Sequence, residues 1–390
     1  MKPIALIGSG LAAYTVAREF RKLDKTTPLL IITADAGDFY SKPMLSNAFA
    51  QAKTAAMLRN QSALQMAEQL NATILTGTEV LRIDETSNSL VTAAGAFEFS
   101  QLVLAVGAQA IRLPIAGTAA AEVLSVNTLA DYARLREQVE AVGPAARIAI
   151  LGAGLIGCEF ADDLSGAGYR ITLIDPNARP LAALASEPVS LALRVALEAR
   201  GVTLQMGTSA TAVDRDGHGL CVTLANGDVI DADLVLSAVG LRADLRLAAT
   251  SQLACDRGIL VDAFGRTSNA QIFALGDCAQ YTLPDGSRST LPYVAPLMAA
   301  ARAIAASLGG SLTPIEFKAA PVLVKTPSFP LALLPPGIGS KGSWQTEVVN
   351  MATVSRYFDE AGSLRGFAVG PQDAKWRQSL LAEVAMAAAS

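Results

Sequence analysis

ILGAGLIGCEF, residues 150–160, decides the fold. Ile150 and Leu151 close the strand-like stretch RIAILG (147–152), Gly152-Ala153-Gly154 breaks it, and the chain restarts through Leu155, Ile156 and Gly157 with helical character. The spacing is GxGxxG. Its first glycine makes a tight turn, its second lets a pyrophosphate approach the backbone, and its third lets the helix pack closely on the strand. The helix N-terminus then offers unpaired N–H groups and a partial positive charge to the phosphates. Asp175 ends the following strand, YRITLID (169–175), where a carboxylate accepts hydrogen bonds from ribose hydroxyls and repels a 2′-phosphate. Arg179 lies close behind it.

The same cycle occurs earlier. IALIG (4–8) reads as a buried strand, LAAYTVAREFRKL (11–23) as a helix and PLLIITAD (28–35) as a second strand. Gly8, Gly10 and Ala13 fit GxGxxA, and Asp35 stands at the end of the second strand. Two strand-turn-helix units at a domain-sized spacing make a diverged internal repeat. Around them LVLAVGAQAIRLPIAG (102–117) ends a strand at Ala105-Val106-Gly107, and VLSAVGLRADL (235–245) repeats the device at Ala238-Val239-Gly240. TSNAQIFALGDCAQ (267–280) runs a strand into Gly276-Asp277, which reads equally as a helix cap or a binding turn. TLANGDVIDADLVLSAVG (223–240) carries an Asn-Gly hairpin signal, and SRYFDEAGSLRGFAVG (355–370) reads as two strands joined at Glu-Ala-Gly. From about residue 316 Pro punctuates the strands, as in KAAPVLVKTPSFPLALLPP, and a helix starts near Ala374. The fold class is therefore α/β, with two Rossmann-like dinucleotide-binding domains and a small C-terminal α/β domain. The boundaries are 1–113 with 245–315 for the first, 114–244 for the second and 316–390 for the third.

The totals exclude other classes. A chain of 390 residues with 51% hydrophobic and 17% charged residues buries several cores rather than one. Acidic residues number 35 against 31 basic, without a basic cluster or stripe, which excludes nucleic acid as a partner. The apolar stretch Ile4–Ala17 is not a secretion signal, because Gly8 and Gly10 interrupt it and Arg18, Glu19 and Arg21 follow at once. No apolar run reaches membrane-spanning length, so a cytoplasmic protein is expected. Cys158, Cys221, Cys255 and Cys278 form no CxxC pair or metal-like spacing. The single histidine, His218, sits in the turn-like DRDGHGL, which argues against a histidine base or metal site.

GSGLAAY, TADAGDFYSKPMLS, LNATILTGTEV, LVLAVGA, LGAGLIGCEFADDLS, SAVGLR, IFALGDCA, PLMAAARA and VKTP occur in the order found in the FAD-dependent pyridine nucleotide-disulfide oxidoreductases. Over essentially the whole chain the sequence resembles these two-dinucleotide-binding flavoprotein reductases, and among them the rubredoxin reductases. The resemblance implies non-covalent FAD on the first turn, NADH on the second, and the two cofactors meeting face to face for hydride transfer. It implies cofactor contacts from Gly8, Ser9, Gly10, Leu11, Ala12, Ala13, Asp35, Lys42, Val80, Ala105, Gly107, Arg112, Gly276, Asp277, Pro296, Leu297 and Lys325. The second turn adds Gly152, Gly154, Leu155, Ile156, Gly157, Glu159, Asp175, Ala238, Val239 and Gly240. Asp277 faces the ribityl chain in this reading. The helix LMAAARAIAASL (297–308), beginning just after Pro296, points its N-terminus at the flavin or else serves only as an Ala-rich core helix. Glu159 corresponds to a family residue near the nicotinamide, or is an ordinary helical glutamate. Lys42 with Pro43, and Lys325, are candidate basic flanks of the flavin, or surface salt-bridge partners.

Disulfide reductases of this architecture carry a CxxxxC pair near residues 40–50 and a His-Glu pair near the C-terminus. DFYSKPMLSNAFA has no cysteine, so electrons are expected to leave the flavin directly and singly for an external iron protein. Many related ferredoxin reductases end this stretch in Leu-Ser-Lys, whereas this chain has Leu-Ser-Asn47. The expected acceptor is rubredoxin, serving alkane degradation through a hydroxylase, or oxygen or peroxide detoxification. A ferredoxin of an oxygenase system is the alternative. A regulatory NADH-binding flavoprotein and an NADH oxidase remain as rivals. No metal site is expected, and the protein is expected to be a monomer or weak homodimer.

Overall fold

The computed structural model describes residues 1–389 except 218, 284, 285 and 338, so the expectation for His218 lies outside the described residues. The chain divides into two compact units, one of residues 1–42, 57–109 and 241–318, the other of residues 43–56, 110–240 and 319–390.

The first unit is built on five strands in the order Ile272–Ala274, Gln101–Leu104, Ile4–Ile7, Leu29–Ile32, Ala72–Leu75. All four pairings are parallel. Ile4–Ile7 and Leu29–Ile32 are buried along their whole length, which is why both read as unbroken apolar runs rather than alternating ones. Ile4–Ile7 is central, with chain order running outward on either side of it. That makes its carboxyl end a topological switch point, the place where open α/β sheets bind ligands. Helix Leu11–Leu23 starts there and packs on helix Val294–Leu308. The contact forms because both buried faces are small: Ala12, Ala13, Val16 and Ala17 on one, Ala300, Ala301 and Ala305 on the other.

The sequence places the start of that second helix just after Pro296, but it begins at Val294. Pro296 is thus its third residue. The first turn of a helix has no intrahelical partner for its N–H groups, so proline costs little there.

In the second unit, four parallel strands run Thr203–Met206, Arg170–Asp175, Arg147–Leu151, Leu234–Ser237. Beside them lies the antiparallel sheet Ala210–Asp216, Gly219–Leu224, Val229–Ala232, where Gly227 takes φ +91° at the Asn-Gly turn. The C-terminal segment forms a five-stranded antiparallel sheet in the order Val322–Val324, Leu331–Leu334, Leu364–Gly370, Ala352–Asp359, Gly342–Val349. Helix Ala374–Ala389 covers it, with Leu380 and Val384 packed among Ala332, Val354, Phe367 and Val369. Helix Glu187–Ala199 contacts the same sheet, and Ser186 Oγ donates to Ser355 Oγ at 2.6 Å just before it. Among the described residues no helix is long and apolar enough to cross a membrane.

Candidate functional site

The two turns share one construction. Gly8 has φ +110°, and a Cβ added to it would stand 2.4 Å from the carbonyl oxygen of Ala105. Gly152 has φ +102°, with the equivalent distance to Ala238 O at 2.7 Å. Each turn is therefore folded against the end of a neighbouring strand, which brings Ala105 to Gly8 and Ala238 to Gly152, each the first residue of an Ala-Val-Gly sequence. At the third position the two differ. Ala13 is accommodated fully buried, whereas a Cβ on Gly157 would meet Gly152 O at 1.8 Å.

The middle glycines carry the fit for a dinucleotide. Gly10 and Gly154 are the N-caps of helices Leu11–Leu23 and Leu155–Gly166, and among the described residues neither helix has a side-chain cap and nothing stands within 4 Å of a Cβ built on either glycine. Uncapped amides beneath open space form a cradle that phosphate oxygens satisfy. At the carboxyl ends of the second unit's parallel strands, Ser237 Oγ, Thr208 Oγ1 and Arg179 Nε are buried without a hydrogen-bond partner among the described residues. Buried polar atoms of that kind call for a ligand's polar groups.

Both acidic residues brace their turns. Asp35 Oδ1 accepts from Ser9 Oγ at 2.7 Å, Thr33 Oγ1 at 2.7 Å and Gly37 N at 2.9 Å. Asp175 Oδ2 accepts from Ala153 N at 2.6 Å, while Oδ1 takes Asn177 N and Nδ2, both at 2.8 Å. Asp175 thus holds the middle of the glycine turn while placing a negative charge at the strand end.

Other expected residues fall around these centres. Gly276, at φ +74°, opens a 3-10 turn, Gly276–Cys278, rather than an α-helix, and lies against Ala12 and Leu297. The Asp277 carboxylate stands 4.0 Å from Lys42 Nζ. Val80 is buried in the first unit's core, and Gly107 O accepts from Asp244 N at 3.0 Å. Leu11 and Leu155 open their helices, and Ile156 is exposed beside the second turn. Val239 packs on the second unit's core, and Gly240 O accepts from Ile111 N at 3.1 Å. Pro43 follows Lys42 in the 3-10 turn Lys42–Asn47. Arg112 is exposed on a segment belonging to the second unit, as Lys325 does.

Lys325 and Glu159, distant in sequence, are joined. Lys325 Nζ reaches Glu159 Oε1 at 2.6 Å and Oε2 at 2.7 Å, and Lys325 N donates to Oε1 at 2.9 Å. The Ser46 hydroxyl donates to Oε2. The Glu159 side chain is 2% exposed, so its charge needs this full set of donors.

Sequence reasoning passed over Ser46, Asp162 and Asp163. Asp163 accepts from Ala48 N, Phe49 N and Ala50 N at 2.9, 2.8 and 3.0 Å, and Asp162 Oδ2 accepts from Ser328 N at 3.0 Å. Burial holds the Asp163 carboxyl above the usual carboxylate range despite those three bonds. A signal was available: Glu159, Asp162 and Asp163 stand at i, i+3 and i+4 on a mainly apolar helix, which puts three carboxylates on one face.

Burial pushes the Cys158 thiol far up and Cys278 to about 12. Their sulfurs donate to backbone oxygens, Cys158 to Ala153 O at 3.4 Å and Cys278 to Leu275 O at 3.3 Å. Thiols so placed are structural rather than nucleophilic.

Comparison with known proteins agrees with this construction. Residues 2–303 match the family described as pyridine nucleotide-disulphide oxidoreductase, and residues 314–384 match the rubredoxin binding C-terminal domain. A rubredoxin-NAD(+) reductase of Alcanivorax borkumensis is 42% identical, covering 98% of this chain and 99% of its own. A nitric oxide reductase FlRd-NAD(+) reductase of Aeromonas hydrophila is 40% identical, covering 95% and 93%. The crystal structure of a covalent putidaredoxin reductase-putidaredoxin complex shares the fold at TM-score 0.88 and 24% identity, over 98% of this chain and 93% of that one. The chain belongs to the pyridine nucleotide-disulphide oxidoreductase family. It is an oxidoreductase of the kind that uses FAD and NAD(H), and its likeness to rubredoxin reductases extends over nearly its whole length.

Proposed function

We propose that the protein is a cytoplasmic NADH:rubredoxin oxidoreductase with FAD on the Gly8 turn and NADH on the Gly152 turn. One observation carries the choice of acceptor: residues 314–384 match a rubredoxin-binding domain in the same chain as both dinucleotide turns. Residues 1–113 with 245–315 are the FAD-binding part in this reading, 114–244 the NAD(H)-binding part and 316–390 the C-terminal domain. Bound FAD supplies the chemistry that lets a two-electron donor serve one-electron acceptors.

The chain's own residues do the rest. The uncapped amides after Gly10 and Gly154 bind the two pyrophosphates. Asp277 orients the ribityl chain, with its carboxylate beside Lys42. Asp175 discriminates between nicotinamide cofactors by charge. Glu159 and Lys325 form a fixed ion pair one turn into the helix that begins at the second cradle, at the nicotinamide end.

Two measurements check this reading. Steady-state reduction of purified rubredoxin, FlRd and a [2Fe-2S] ferredoxin is expected to give rubredoxin the highest kcat/KM, by about tenfold or more over the ferredoxin, roughly 1.4 kcal/mol. Preference for the ferredoxin overturns the acceptor assignment. Asp175→Asn is expected to narrow the NADH/NADPH ratio of kcat/KM about tenfold, mostly through a gain with NADPH, because a carboxamide does not repel a 2′-phosphate. An unchanged ratio removes Asp175 from cofactor selection.

A further inference from the structure

Both main-chain polar groups of Lys325 are held by side chains from other segments. Its N–H donates to Glu159 Oε1 at 2.9 Å, and its carbonyl accepts from Asn47 Nδ2 at 2.7 Å. Strand Val322–Val324 ends one residue earlier, so among the described residues no ladder partner fixes this peptide. Asn47 is itself held, because its Nδ2 also reaches Ser46 O at 2.8 Å and its carbonyl accepts from Gln51 Nε2 at 2.7 Å. Ser46 and Asn47 are 2% and 7% exposed, so neither bond competes freely with water. On either side, Asp163 clamps the amides of Ala48, Phe49 and Ala50, and Asp162 that of Ser328. The carboxylates of one helix therefore pin two chain segments, and the Ser46-Asn47 pair lies where those segments meet the ion pair.

This arrangement answers a problem set by lysine itself. Its ammonium is a point charge on a flexible four-carbon stem, with none of the preorganised fork geometry of arginine. If such a charge is to stand at a reproducible place, the main chain from which it springs must be immobile and its counter-charge must not rotate. Asn47 fulfils the first condition and Ser46, bonded to Oε2, the second.

We propose that Ser46 and Asn47 are positioning residues for the nicotinamide half of the reaction, acting through the Glu159–Lys325 pair. The inference rests on the reading that this pair stands at the nicotinamide. It adds that the pair works only when preset, since a misplacement of about 1 Å can cost on the order of a hundredfold in rate.

The test uses the flavin-loaded full-length protein, with Ser46→Ala, Ser46→Thr, Asn47→Ala and Lys325→Met variants. Three quantities are read: the limiting rate of flavin bleaching by NADH, the Kd for NAD+, and hydrogen exchange at the Lys325 amide. Flavin absorbance and thermal unfolding report whether each variant is folded. Lys325→Met is expected to slow bleaching by at least about tenfold. Asn47→Ala and Ser46→Ala are expected to slow it about three- to tenfold with Kd changed less than about twofold, and Ser46→Thr, which keeps the hydroxyl, to restore the parent rate. Asn47→Ala is also expected to speed exchange at Lys325. If Lys325→Met bleaches at the parent rate, the nicotinamide reading fails and takes the inference with it. If Lys325→Met is slow while folded Asn47→Ala and Ser46→Ala bleach at the parent rate, the positioning role alone fails.

Discussion

Gly157→Val is expected to leave a yellow protein that NADH no longer bleaches at a useful rate. A Cβ at this position would stand 1.8 Å from Gly152 O, so the helix must move away from the turn or the turn must open. Overpacking of this kind costs about 1–3 kcal/mol where the neighbour yields and more where it is backbone, as here. The displacement falls on the segment whose amides are proposed to receive the pyrophosphate, so on that reading the binding contacts and the fold of the turn are lost together. The Gly8 turn belongs to the other unit and carries its own cradle, so flavin absorbance is expected to persist. Stopped-flow mixing with NADH and titration with NAD+ measure the effect, and a loss of about a hundredfold or more in kcat/KM corresponds to roughly 2.7 kcal/mol. Bleaching within twofold of the parent rate would show that the close approach at Gly157 has no part in cofactor binding.

Gly8→Ala is expected to do the converse and produce a protein that purifies nearly colourless. Two penalties coincide there. The backbone lies at φ +110°, a region L-residues rarely adopt, and the added methyl would stand 2.4 Å from Ala105 O. Relief requires Ile4–Ile7 to shift against Gln101–Leu104, strands paired in parallel register at the centre of the first unit's sheet. Loss of FAD also removes its linkage contribution to stability, about 2.7 kcal/mol when the cofactor is present at a hundred times its Kd. The visible-to-ultraviolet absorbance ratio is therefore expected to fall by an order of magnitude, and the melting temperature by several degrees. Added FAD is expected to restore neither fully. A variant with the parent's flavin content and melting point would remove the first turn from the FAD assignment.

Much of the fold follows from patterns that act over short distances. Strand Ile4–Ile7, helix Leu11–Leu23 and strand Leu29–Ile32 lie within the ranges the periodicity indicates, as do Arg147–Leu151, Leu155–Gly166 and Arg170–Asp175. A buried parallel strand must be apolar throughout and a glycine turn must admit positive φ, and both demands are met by adjacent residues. The start of helix Val294–Leu308 is less legible because proline inside a first turn resembles proline before a helix. Gly276-Asp277 is a related case, since a residue pair favoured at helix starts here opens a turn of three residues, Gly276–Cys278, closed by Ala279 N donating to Gly276 O, with Gly276 N donating to Tyr281 Oη at 3.2 Å.

The sequence by itself determined that this chain carries two dinucleotide turns and no cysteine in residues 38–50, because each is written in about a dozen consecutive residues. Only the tertiary structure decided what Glu159 and Lys325 do for one another. They are 166 residues apart, Ser46 lies 113 from Glu159, and Asn47 is 278 from Lys325. No local pattern distinguishes a lysine that points into water from one that chelates a buried carboxylate. That difference arises when folding strips water from Glu159, since the carboxylate then takes its donors from whichever segments the packing brings within reach.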